Sequence, residues 1–116
     1  MNIIRQGDVL LIPVLALPEG AQEIAPEQNR IVLMHGESTG HAHAIYDYES
    51  PSEIVGKSIK KAQLFALDNG RRFLQVNETV SLKHEEHTTH LLKPGIYELP
   101  IQVDMNTDKM PRRVID

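Results

Sequence analysis

The sequence predicts an all-β domain, a small β-barrel or β-sandwich with at most one short helix. Three observations carry that expectation. Apolar and polar residues alternate with period two over short runs, most cleanly at 79–83 and 96–103. Turn residues punctuate the chain at close spacing, as at Pro18-Glu19-Gly20, Asn69-Gly70 and Pro94-Gly95. Patterns with the helical period are scarce.

In order along the chain, residues 8–14 form an apolar run in which both alternating sets are apolar, so the strand there is buried on both faces. Pro13 belongs at its end or at a bulge. Residues 17–29 are polar and read as a loop, 30–34 as a second strand and 35–40 as a turn. A third strand over 41–48 places His41, His43, Ile45 and Asp47 on one face. Ser50-Pro51-Ser52-Glu53 has the pattern of a helix start, with Gly56 as its stop. Strands at 61–67 and 71–76 flank Asn69-Gly70, a strong signal for a two-residue hairpin loop. In that register Phe65 opposes Leu74. Val80 and Leu82 share a face with His84. Tyr97, Leu99, Ile101 and Val103 form one apolar face of a last strand, with Pro100 marking an edge. The expected core is Leu10, Ile12, Val14, Ile31, Leu33, Phe65, Leu74, Val80, Leu82, Tyr97, Leu99 and Ile101. Residues 1–116 make a single domain, with a polar C-terminal tail at 105–116.

Composition narrows the function classes. A chain of 116 residues holds one modest core, and 41% apolar residues fit a globular protein. A net charge of −4 weighs against a broad nucleic-acid footprint. No apolar run is long enough to span a bilayer, and the N-terminus lacks the pattern of a signal peptide. The absence of cysteine excludes thiolate chemistry and makes the cytoplasm the expected compartment. Self-association is left open.

All six histidines fall in two stretches: His35, His41 and His43, then His84, His87 and His90. His41 and His43 are two apart on one strand face, a span that two imidazoles can close onto one ion. Imidazole suits zinc, iron or nickel, and nitrogen and oxygen donors are all this chain offers a divalent metal. His41, His43 and His84 are therefore the primary candidate ligands, His87 is the fourth, and Glu85 or Glu86 is a candidate catalytic base. His84 and His87 are three apart, so sharing a site requires a turn around the two glutamates. Parity brings the two stretches to one interior, because His84 continues the inward face of Val80 and Leu82. His35 and His90 read as structural.

These residues also carry a resemblance. Arg5-Gln-Gly-Asp-Val9, Gly40-His-Ala-His-Ala44, His84-Glu-Glu-His87, Pro94-Gly-Ile-Tyr97 and Arg112-Arg-Val-Ile-Asp116 resemble a small uncharacterised family of bacterial and phage-associated proteins. That resemblance implies no activity. A weaker one, to the cupin barrels, rests on Gly40, the His41-x-His43 pair, Glu49 and a later His84 or His87, and implies a metal held by those residues. Two functional classes follow. One is a metal-dependent protein acting on a small molecule. The other is a non-enzymatic accessory module whose histidine loops are structural or meet a protein partner.

Overall fold

The structure, a computed structural model, describes residues 2–36, 41–51, 58–101, 103–104 and 112–113. The strands are β1 (Ile4–Gln6), β2 (Val9–Val14), β3 (Gln22–Ile24), β4 (Ile31–His35), β5 (Ala42–Ile45), β6 (Glu49–Pro51) and β7 (Ser58–Lys60). Then follow β8 (Ala62–Ala66), β9 (Arg72–Val76), β10 (Val80–Lys83), β11 (His90–Leu92), β12 (Gly95–Leu99), β13 (Val103–Asp104) and β14 (Arg112–Arg113). Among the described residues there is no helix, and so none long and apolar enough to cross a membrane.

A six-stranded sheet, in the order β1-β2-β12-β9-β8-β3, faces a four-stranded sheet, β11-β10-β5-β4. Neither closes into a barrel. Both give side chains to one core. Val9, Leu11, Leu64, Leu74, Val76, Tyr97 and Leu99 come from the larger sheet, and Ile31, Leu33, Ile45, Val80, Leu82 and Leu92 from the smaller. The architecture is thus sandwich-like, two inward faces sharing one apolar layer. Tyr97 is buried in this layer and its hydroxyl donates to the Lys93 carbonyl at 2.7 Å, so its polar end has a partner.

The chain enters the sandwich through a hairpin that the sequence reading left out. Gly7-Asp8 is a two-residue loop between β1 and β2, with Gly7 at φ 57° and Gln6 opposite Val9. Because Val9 and Leu11 face the core, their partners Gln6 and Ile4 face it too. Leu10, Ile12 and Val14, expected in the core, are on the other face of β2 and half-buried. Both sets are apolar, so the pattern alone could not choose between them. Pro13 lies beyond the stretch that pairs with β1.

Other expectations need correction for identifiable reasons. The polar stretch at 17–29 contains β3, which pairs with β8 through backbone bonds while all three of its side chains stay exposed. Gln28 and Asn29 have φ of 53° and 61° and make a tight turn between Glu27 and Arg30. Ser50 and Pro51 belong to β6, where Ser50 opposes Ile59, so strand pairing overrides their capping preference. The rest of the expected helix, 52–56, lies outside the described residues, as do 37–40 of the expected turn. The hairpin loop between β8 and β9 has three residues, Asp68-Asn69-Gly70, closed by Leu67 N–H donating to the Arg71 carbonyl at 2.8 Å. Only Gly70 needs positive φ there. Leu64 consequently opposes Leu74, Phe65 opposes Phe73, and Phe65 is half-buried outside the core cluster.

β12 lies between β2 and β9 and is not an edge strand. It stops at Leu99, because Pro100 has no N–H to give to a central ladder, and Ile101 is exposed. In the tail, Val103–Asp104 pairs with Arg112–Arg113, so the described ladder there is the tail's own. Deleting residues 106–116 is therefore expected to leave a cooperatively unfolding domain, which circular dichroism of the truncated chain checks. Loss of cooperative unfolding would mean that the deleted segment docks on the sandwich.

Candidate metal centre

Four histidines from the two stretches meet at one end of the smaller sheet. β5 supplies His43 on the core side, next to Ile45, while Ala42 and Ala44 on its other side pack with Val32. His43 is fully buried. β10 pairs with β5 through Leu82 and Ile45, and one residue past its end His84 keeps the inward parity of Val80 and Leu82. The His43 and His84 ring centroids are 4.2 Å apart. The turn that His87 needs is present. Glu86 N–H donates to His84 Nδ1 at 3.0 Å, curling the chain so that His87 comes back to 4.6 Å from His84 and 5.7 Å from His43. His41 stands edge-on to His84 at 6.0 Å.

Two groups of ligand atoms come close together. Nitrogens of His43, His84 and His87 all lie within 4.8 Å of one another, as do atoms of His41, His84 and Glu85. His84 belongs to both. The closest sharing is thus of His43 with His84 and His87, and the His41-x-His43 pair is divided between the groups. Nitrogens bound to one tetrahedral ion at about 2.1 Å are roughly 3.4 Å apart, so any separation near the 4.8 Å bound must shorten for the site to hold a metal. His87 is the most open of its group and sits on a loop, where such a shift is easiest.

Glu85 Oε1 accepts the Ala42 N–H at 2.9 Å, which ties the loop to β5. Partial desolvation would raise the Glu85 carboxyl. The hydrogen bonds from Ala42 and from its own N–H, with His41 and His84 nearby, outweigh that and hold it below its usual range. Glu85 is therefore a persistent carboxylate. Glu86 is also exposed and lies 3.9 Å from His41 Nδ1. Gly36 sets the position of His41. Its N–H donates to the His41 carbonyl at 2.8 Å, and a Cβ there would lie 3.0 Å from the His41 Cβ.

Histidines 35 and 90 lie outside both groups. His35 pairs with Glu27 at 3.0 Å on the surface, and His90 sits in β11 opposite Leu82. Sequence reasoning missed Gln6, which is buried and bonded to His43 Nδ1 at 2.8 Å. A polar residue on the inward parity of a short strand, just before a Gly-Asp turn, was the available signal. A cavity of about 320 Å³ lies elsewhere, lined by Leu33, Met34, Leu64, Arg72 and Leu99 among others, and none of the four clustered histidines lines it.

His84 decides how well the cluster suits a metal. While its Nδ1 accepts the Glu86 N–H, a neutral His84 carries its proton on Nε2. Ligation through Nε2 requires that proton to leave that nitrogen and the Glu86 bond to open. One such bond is worth about 0.5–1.5 kcal/mol, small beside the ~10–16 kcal/mol of a tight zinc site. The donor set therefore fits a divalent ion, with a local rearrangement at Glu86.

No curated protein and no solved structure matches the chain, so neither the phage association nor the cupin likeness gains support. One family model does match, over residues 5–102, a span that holds both histidine stretches and Gln6. The chain belongs to the family described as Domain of unknown function (DUF8820).

Proposed function

We propose that this protein binds a divalent transition metal through His43, His84 and His87, with His41 and Glu85 beside them. The observation that carries this is three imidazole nitrogens, from a strand and a separate loop, within 4.8 Å of one another. Imidazoles without thiolates favour zinc, iron or nickel over magnesium or calcium. A metal held there supplies a Lewis acid and acidifies a bound water. His87 lies on the exposed side of the site, where a small molecule would approach, and the ionised Glu85 would be an acceptor for a donor group on it.

Metal content of untagged protein, with melting temperature against added Zn²⁺ or Ni²⁺, tests this. Stoichiometric metal and a rise in melting temperature are expected, since an ion bound only by the folded state stabilises it. The rise should shrink in acid, where protons compete for the imidazole nitrogens. Absence of metal and of any thermal shift would leave the second reading, a non-enzymatic module. The observation favouring that reading is the Glu86 N–H bond to His84, which already gives one histidine a part in shaping the loop.

A further inference from the structure

We infer that Gln6 is the positioning residue of the histidine cluster, fixing which nitrogen of His43 faces the ligand and holding the His84–His87 loop against β5. The assignment to a ligand site rests on the metal proposal above, but the hydrogen-bond logic stands without it. Gln6 is 2% exposed and every polar atom of its side chain has a partner. Its Nε2 donates to the Leu82 carbonyl and to the Thr88 carbonyl, each at 2.9 Å. Backbone carbonyl oxygens only accept, so the NH₂ end of the amide must face them. The atom 2.8 Å from His43 is then the amide oxygen, which also only accepts. His43 Nδ1 must therefore carry a proton. In the neutral ring the lone pair is left on Nε2, the state a ligating imidazole needs when its other nitrogen is held by an acceptor.

Two of these bonds, to Leu82 and Thr88, act on the loop. Leu82 lies in β10 two residues before His84, and Thr88 directly follows His87. Gln6 thus grips the chain on both sides of the segment that carries the two loop histidines. It does so from β1, whose register is set by the Gly7-Asp8 turn. The N-terminal hairpin, which has no histidine of its own, thereby holds residues from β5 and from the loop in one arrangement.

The test is imidazole ¹⁵N NMR on metal-free native protein, then on Gln6→Leu and Gln6→Glu, followed by Zn²⁺ titration of all three. Native His43 is expected as the Nδ1–H tautomer. Gln6→Glu keeps an acceptor for His43 but sets carboxylate oxygen against the Leu82 and Thr88 carbonyls, so the tautomer should persist while His87 loses its fixed position. Gln6→Leu should lose both. Zn²⁺ affinity is expected to fall about 10–100-fold in Gln6→Leu, the usual range for residues that orient a metal ligand. An Nε2–H tautomer in native protein overturns the inference, whether or not either variant folds. An Nδ1–H tautomer that Gln6→Leu abolishes, with no Zn²⁺ binding by native protein, upholds the role of Gln6 and removes the metal.

Discussion

Replacing His43 by alanine is expected to remove nearly all of the metal-induced rise in melting temperature and also to destabilise the metal-free protein. His87→Ala should do only the first. The two differ in setting. His43 is 0% exposed and bonded to Gln6, so truncation leaves a cavity and a buried amide oxygen without its donor. Those effects together cost about 2–4 kcal/mol. His87 is on an open loop, so its loss should barely change the stability of the metal-free chain. For affinity, a four-ligand zinc site worth ~10–16 kcal/mol implies on the order of 3 kcal/mol per ligand, roughly a hundredfold. His35→Ala and His90→Ala should keep most of the shift, since His35 is engaged with Glu27 and His90 lies in neither group. Thermal melts with and without Zn²⁺ on the four variants measure this. A shift that His35→Ala weakens as much as His87→Ala would place the metal elsewhere.

The meeting of the two histidine stretches was legible in the sequence because parity is a local property with a global consequence. Ile45 and Leu82 are strongly apolar, so the faces that carry them turn inward, and His43 and His84 follow at the next inward positions. The grouping was not legible. The His41-x-His43 spacing puts both rings on one face. Which of them reaches His87 depends on the Glu86 bond to His84, a loop detail with no periodic signature. Gln6 was hidden for a related reason. Its partners are two backbone carbonyls and an imidazole from distant parts of the chain, and no spacing rule marks such a contact. In the fold, the strands around Asn69-Gly70 were found but their register was one residue off. Asn-Gly signals a turn without stating whether Asp68 belongs to it, and one residue of slip moves a side chain to the opposite face.

Leu99 and Ile101 show most directly where alternation stops being informative. Both continue the face of Tyr97, and the sequence assigns both to the core. In the structure Leu99 is 4% exposed and Ile101 49%. The difference lies in Pro100. β12 is bonded on both sides, to β2 and to β9, and a residue without N–H ends such a ladder. Once the ladder ends, the period-two rule no longer holds the next side chain inward. Leu99→Ala is therefore expected to cost ~2–5 kcal/mol, the range for truncating a buried leucine. Ile101→Ala should stay within about 0.5 kcal/mol, as for a surface change. Denaturant unfolding of the two variants at matched slope separates these values. Equal losses would mean that the strand runs on through Pro100 and that Ile101 packs inside the sandwich.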